Sequence, residues 1–284
     1  MPKFQREYSL SIETADGSLV TIESPLTLEF NIERNTLASA NTANFRILNL
    51  GELTRQRIYK SKFDISIFRS IELKAGYAGE APVIFSGNVL EAFSYREEGS
   101  VNTYTDISCY DGGFDIVNSY SSFAVNAGKK KKVIERLAGD FPHVRKGLFS
   151  EFEGESLRGR SIMGNTFKLL TGETLDGSYI DNGVVNGLLD NDCLLGDILS
   201  IESSTGLLGS PKRADTLLIV EILFEPKLKV GQRVELNSQT ERNFNGIYKV
   251  SGIHHSGTIS GAVGGKCKTI ASLWYGTDVL RILG

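Results

Sequence analysis

The densest histidine signal in the sequence is the adjacent pair His254-His255. Neighbouring residues of an extended strand project to opposite faces, so this pair does not converge on one metal ion. His143 stands beside Pro142 with no Cys or carboxylate at ligand spacing. Cys109, Cys193 and Cys267 lie far apart and form no CxxC pattern. That odd count, with no apolar export segment after Met1, points to reduced thiols packed as small buried side chains in a chain made in the cytosol. Gly261-Ala262-Val263-Gly264-Gly265-Lys266-Cys267 approaches a phosphate loop. It is one residue short before the Gly-Lys, has Cys where Ser or Thr would hold magnesium, and leads into a strand rather than a helix. Gly159-Arg160-Ser161-Ile162-Met163-Gly164 misses the nucleophile-elbow spacing by one residue. Asp106 with Asp111, and Asp176 with Asp181, are the type of carboxylate pair a glycosidase uses, but nothing fixes their separation and no aromatic cluster marks a sugar subsite. The four lysines at 129–132 read as a solvated helix start or as a contact for an acidic partner chain. They are too few to argue nucleic-acid binding. Spacing alone assigns no catalytic, cofactor-binding or metal residue.

Function therefore has to come from architecture. The 284 residues carry 31 basic and 34 acidic side chains, for a net charge of −3, and their length suggests about two domains. A pI near 5.8 argues against a partner held by phosphate neutralisation. The absence of any run of about 18 apolar residues argues against a membrane span. Thirty glycines beside six prolines suit strands and tight turns.

Period-two alternation dominates the first 110 residues. Tyr8, Leu10 and Ile12 share one strand face, Leu28, Phe30 and Ile32 another, and Phe45 and Ile47 open a further run. Residues 52–60 break the rhythm as a short helix. Extended structure resumes at Asp64 and runs through Ile65, Ile67, Ile71 and Leu73 to Tyr77. Residues 83–95 are long for a strand, and Gly87 marks a bulge or bend there. Val101, Thr103, Thr105, Ile107 and Cys109 share the next face, completing about seven strands of a closed or nearly closed barrel. Residues 121–128 read as a polar connector, 129–139 as a helix and 160–170 as another, with Ile162, Met163, Phe167 and Leu170 on one side. Asn182-Gly183 signals a hairpin. Residues 206–214 read as a Gly/Pro loop, and 217–224 as a strand buried on both faces. Further strands follow at 230–236, around Tyr248, Val250 and Ile253, and at 268–275, where Trp274 reads as core. The expected class is mainly β with short helices: a first β-barrel over 1–128, a helical connector and small α+β insertion over 129–195, and strands of a second barrel over 196–284.

One stretch is more specific. From Leu28 to Leu50 a polar, small-residue connection joins two alternating strands, and residues 52–60 then form the helix. Phe30, Ile32, Arg34, Asn41, Ala43, Phe45, Ile47, Asn49, Leu50, Thr54, Arg55, Ile58 and Tyr59 fall in an order of F-x-I-x-R, N-x-A-x-F-x-I-x-N-L and T-R-x-x-I-Y. This order resembles the start of the central baseplate hub proteins of contractile-tailed bacteriophages and related tail-like particles. Downstream, Ala75-Gly76-Tyr77, Phe85-Ser86-Gly87-Asn88-Val89, Asp111-Gly112-Gly113, residues 206–211, 225–232 and 245–250 look similar to later positions of that family.

The resemblance implies two domains shaped like tail-tube subunits and a homotrimer whose pseudo-sixfold ring joins a sixfold tube, or tube initiator, above to a threefold spike below. Tape-measure and wedge proteins are the other implied partners. The channel would pass DNA without specific binding, which mild negative charge suits. The implied place is the tail baseplate of the virion, after synthesis in the host cytoplasm, with no stable membrane insertion, no cofactor and no enzymatic activity. No appended lytic or peptidoglycan-binding module is visible. Phe30, Ile32, Arg34, Asn41, Ala43, Asn44, Phe45, Ile47, Arg55 and Tyr59 are the motif positions expected at subunit interfaces. The hairpins over 25–50 and 83–109 are expected to pair between subunits because of their length. A tail-associated cell-wall hydrolase, or a carbohydrate- or receptor-binding β-module, is the alternative.

Overall fold

The computed structural model describes residues 5–156, 158–261, 265–276 and 280–283. The first part comprises β1 (Arg6–Glu13), β2 (Leu19–Glu23), β3 (Leu28–Asn35), β4 (Thr42–Leu48), α1 (Glu52–Ile58), β5 (Ser70–Tyr77), β6 (Val83–Arg96) and β7 (Thr103–Tyr110). The middle contains α2 (Gly113–Asn118), β8 (Tyr120–Val125), β9 (Gly128–Lys129), α3 (Lys130–Ala138), β10 (Arg145–Phe149), β11 (Glu155–Ser156), β12 (Arg160–Asn165) and α4 (Thr166–Glu173). Next come β13 (Ser178–Asp181), β14 (Val184–Gly187), β15 (Asp192–Leu194) and β16 (Leu199–Glu202). The chain ends with β17 (Leu207–Ala214), β18 (Leu217–Leu223), β19 (Arg233–Asn237), β20 (Gly246–Ile259), β21 (Cys267–Trp274) and β22 (Arg281–Leu283). It is a mainly β protein with short helices, and most strand pairs are antiparallel.

One sheet holds 13 of these strands, in the order β17-β18-β21-β20-β3-β4-β7-β6-β5-β1-β2, with β19 on β20 and β16 on β19. The 14-residue β20 is where the two halves meet. Its start pairs with β19, and residues 252–259 then pair antiparallel with β3, Gly252 opposite Asn35 and Ile259 opposite Leu28. Its other edge carries β21. Alternation decides which side of this sheet is dry: Leu28, Phe30 and Ile32 of β3 turn in while Glu29, Asn31 and Glu33 face water.

Three apolar clusters result. The first gathers β1, β3–β7 and α1 around Phe45 and Phe85, whose rings meet edge to face at 5.9 Å, and it also takes in Phe224, Ile259 and Cys267 from the C-terminal strands. Each such fully buried side chain is worth about 1.5–3 kcal/mol. The second is built on Val220, Val234, Val250 and Leu273 and takes in Tyr179 and Leu188. The third packs α3 and α4, through Ile134, Leu137, Phe167 and Leu170, against Ile180 and Val185 of the β13–β14 hairpin.

Several local readings change. Residues 61–69 are a loop, and Ile65 and Ile67 are exposed, because no strand lies beside them to use their alternation. The expected irregularity of β6 is present but at two other places, between Val83 and Phe85 against β5 and between Val89 and Glu91 against β7, not at Gly87. Gly87 instead permits close packing, since a Cβ there would lie 2.5 Å from the Tyr110 carbonyl oxygen. The expected connector at 121–128 contains β8, paired with β12. The expected helix over 160–170 is therefore strand up to Asn165, whose side chain accepts from Lys168 N and caps α4. Ile162 is buried while Met163 is 68% exposed, as in a strand. The loop expected at 206–214 is edge strand β17, irregular around Pro211. β18 alternates rather than being buried on both faces. Trp274 is only half-buried.

The proposed pairing of hairpins between subunits also changes. Within the chain β3 lies between β20 and β4, β4 between β3 and β7, and β7 between β4 and β6. Their backbone groups are already used, which excludes strand addition by a neighbour through these three strands.

Candidate functional site at the hairpin junction

Motif positions scattered from residue 34 to residue 112 meet at one place, the tip of the β13–β14 hairpin. Asn182 and Gly183 form that tip with φ of 50° and 70°, the left-handed pair of a two-residue hairpin turn. Arg34, inward-facing on β3, donates from Nε and Nη2 to the two carboxylate oxygens of Asp181, both at 2.7 Å. Its Nη1 donates to the Ile84 carbonyl at 3.2 Å. Asn41, just before β4, donates from Nδ2 to the Ile180 carbonyl at 2.7 Å and accepts the Asn35 N–H at 2.9 Å. Asp111, just after β7, accepts from the Asn182 N–H and, at 2.9 Å, from the Gly183 N–H. The Asn182 side chain accepts from Ser86 N at 2.9 Å.

The glycines of the same motifs make room. Gly112 has φ 64°, and a Cβ there would lie 2.6 Å from Ile180 Cδ1. Gly87 presses on Tyr110 and Asp111 as described.

Arg34, Asn41 and Asp111 are all buried. Burial and the neighbouring Asp181 push the Asp111 carboxyl up to about 7, against the two backbone N–H groups and Arg34, which favour its ionised form. Burial opposes the Arg34 charge, but Asp181 outweighs it and the guanidinium pKa is raised. His255 is buried nearby, its Nδ1 2.8 Å from Thr269 Oγ1, and burial and then Arg34 hold its pKa well below the usual histidine range. These groups are turned inward and bonded to one another, so what the cluster does is clamp the insertion to the sheet.

The remaining expected positions divide. Phe30, Ile32, Ala43, Phe45 and Ile47 are spent in the chain's own core, whereas Asn44 and Tyr59 are exposed and Arg55 is half-buried. His254 faces solvent and His255 the core, opposite sides of β20, as adjacent strand residues must. Of the carboxylate pairs, Asp106 sits on the outer face bound to Arg46, while Asp111 and Asp181 come together at the clamp. Residues 262–264 of the phosphate-loop-like segment lie outside the described residues. Sequence reasoning missed a second buried carboxylate, Asp115, which accepts from the backbone of His143 and Val144 and meets His143 Nδ1 at 2.7 Å. Phe68 stacks on that imidazole at 4.1 Å. Nothing local in the sequence links the three. Among the described residues, no group of three or more His, Cys, Asp or Glu is placed to hold a metal ion.

The fold is similar to that of several solved proteins. A tail protein from Neisseria meningitidis MC58 superposes with a TM-score of 0.56 at 12% identity, over 94% of this chain and 96% of that one. The 43 kDa tail protein of prophage MuSo2 from Shewanella oneidensis gives 0.60 at 10% identity, over 93% and 96%. The Escherichia coli c3393 protein, a type VI secretion system component with structural similarity to T4 tail proteins gp27 and gp5, gives 0.60 at 8% identity, over 96% and 79%. No curated protein matches by sequence. Residues 9–257 match the family described as Baseplate hub gp41, nearly the whole length of the chain, and the protein belongs to that family of structural baseplate components.

Proposed function

We propose that three copies of this chain form the central hub ring that joins a sixfold tail tube above to a spike below and encloses the channel for genome and tape-measure protein. In this reading the chain works without catalysis. Residues 1–128 and 196–284 supply the two tube-like units, and 129–195 the connector held by the clamp. Exposed Tyr59 is the motif position left for neighbours, while Asn44 lies on the channel face. Synthesis is in the host cytoplasm and the working place is the virion.

One observation carries the reading. The two halves share a single sheet, so one water-facing surface crosses both. Along it run Ser256, Asn31, Asn44 and Ser108, neighbours in register, bracketed by Thr258, Glu29, Arg46 and Asp106 on one side and His254, Glu33 and Thr42 on the other. Among the described residues of this surface, the five carboxylates Glu29, Glu33, Glu91, Asp106 and Glu221 outnumber the cations Arg46, Lys266, Lys268 and, on edge strand β17, Lys212. A hydroxyl- and amide-rich surface of net negative charge repels a polyanion and gives it no base-specific hold.

Mass measurement in solution, alone and with the candidate spike protein, tests the ring. A trimer in either condition is expected, and a monomer in both overturns it. Reversing Glu29, Glu33 and Glu91 to lysine tests the channel: particles are expected to assemble but to retain their DNA, and normal ejection would refute the assignment of this face.

A carbohydrate-binding reading has one specific support. Phe93, Tyr95 and Tyr104 cluster on this face, with Phe93 stacked on Tyr95 at 5.9 Å and Arg46 over the Tyr104 ring at 5.5 Å. Calorimetric titration with cell-wall oligosaccharides separates the readings, since a hub channel gives no heat.

A further inference from the structure

The β8–β12 ribbon stands apart from the main sheet. It has two strands, paired from Tyr120 opposite Asn165 to Val125 opposite Arg160. Thr166 N donates to the Ser119 carbonyl at 3.2 Å, which makes 121/164, 123/162 and 125/160 the hydrogen-bonded pairs. The N–H and C=O groups of Tyr120, Ser122 and Ala124 therefore point away from β12. Among the described residues none of them has a hydrogen-bond partner, and all three side chains are exposed, Tyr120 at 63%. A two-stranded ribbon with an open edge is the form that accepts a further strand.

Charge marks the end of the same ribbon. β8 runs through β9 directly into α3, and Lys129, Lys130, Lys131 and Lys132 have no anionic partner among the described residues. The first turn of α3 holds no acidic residue, so the lysines sit where a carboxylate would be favoured and a cation is not. Adjacent like charges repel and stay unneutralised at the cost of local stability. A cleft of about 600 Å³ opens beside these lysines, between the ribbon's two strands and α4, lined by Gly128, Lys129, Lys130, Lys132, Gly154 and Gly172. Arg160 at its rim is already bound to Glu173 at 2.6 Å, and Glu155 is its one carboxylate not so engaged, so the surplus at the cleft is positive.

We propose that the β8 edge is the docking site for an extended acidic segment of a partner protein. The segment adds as a third strand beside Tyr120, Ser122 and Ala124 and places its carboxylates against Lys129, Lys130 and Lys132. Backbone bonds supply the register and the lysines choose the charge. The inference does not depend on the hub reading.

The test uses the full chain and a fluorescein-labelled peptide of four Glu-Val repeats, followed by anisotropy. Saturable binding is expected, weakened at least tenfold by the K129E/K130E/K132E variant and falling as salt rises. It is also expected to be lost when alternate peptide nitrogens are methylated, a change that leaves the protein untouched. Amide exchange at Tyr120, Ser122 and Ala124 slows in the complex. Absence of binding at millimolar peptide, equal binding of a Lys-Val peptide, or equal binding of the methylated peptide each overturns the proposal.

Discussion

Two arginine–aspartate pairs of nearly identical geometry lie on adjacent strands and live in opposite solvents. Arg34 on β3 grips Asp181 through two bonds of 2.7 Å with 2% and 13% of the side chains exposed. Arg46 on β4 grips Asp106 at 2.8 and 3.0 Å with 39% and 25% exposed. The first is between segments 147 residues apart and has displaced most of the water around it, so its loss strands a charge. The second can fall back on solvent. The same chemical pair thus fixes tertiary arrangement in one place and merely tidies a surface in the other.

The sharpest way to break this comparison is Arg34→Ala. It leaves buried Asp111 and largely covered Asp181 without their cation and is expected to cost about 3–5 kcal/mol in urea denaturation. The paired change Arg34→Met with Asp181→Leu should recover much of that. A loss below about 1 kcal/mol for the single variant would erase the distinction between the two sites.

The next effect is in pH. Asp111 has a folded pKa of about 7 against an ordinary carboxylate value of 3.8. The folded state therefore holds this proton more tightly, and its contribution to stability is present below about 4 and lost as pH rises towards about 7, with a slope of at most about 1.4 kcal/mol per pH unit. Asp111→Asn cannot ionise and should flatten that slope. An unchanged slope would remove Asp111 from the account.

Gly112→Ala drives a methyl group into Ile180 and is expected to cost about 1–3 kcal/mol, part of it recovered by Ile180→Ala. Gly99→Ala is the control, with a similar φ of 76° but open space around the new methyl. Equal costs at the two glycines would mean that backbone strain, not packing, makes Gly112 necessary. The smallest effect belongs to Arg46→Ala, expected to change stability by about 1 kcal/mol or less and to shrink further in salt.

Strands with a strongly apolar face, such as β1, β3 and β4, were legible from alternation because burial of that face is what pays for them. β8 and β17 were not. Ser121, Ser122 and Ala124 in one, and Gly209 and Pro211 in the other, carry little apolar contrast, and an edge strand needs little. Ile65 and Ile67 show the reverse error: alternation without a neighbouring strand leaves a loop. The motif residues were recognisable as a set, but not where they would act. Arg34 and Asn41 looked like positions facing another subunit, and together with Asp111 they face a hairpin of their own chain. That hairpin begins 67 residues after Asp111, and a contact at such separation leaves no periodic trace in a single sequence.

β20 has a mechanical consequence. Eight of its residues stand in unbroken register against β3, and the two strands run antiparallel. A force drawing the halves apart along the strand direction loads the whole ladder in shear, so its bonds must yield together rather than one after another. Along that direction the two halves therefore behave as one stiff link, with give confined to whatever surrounds it.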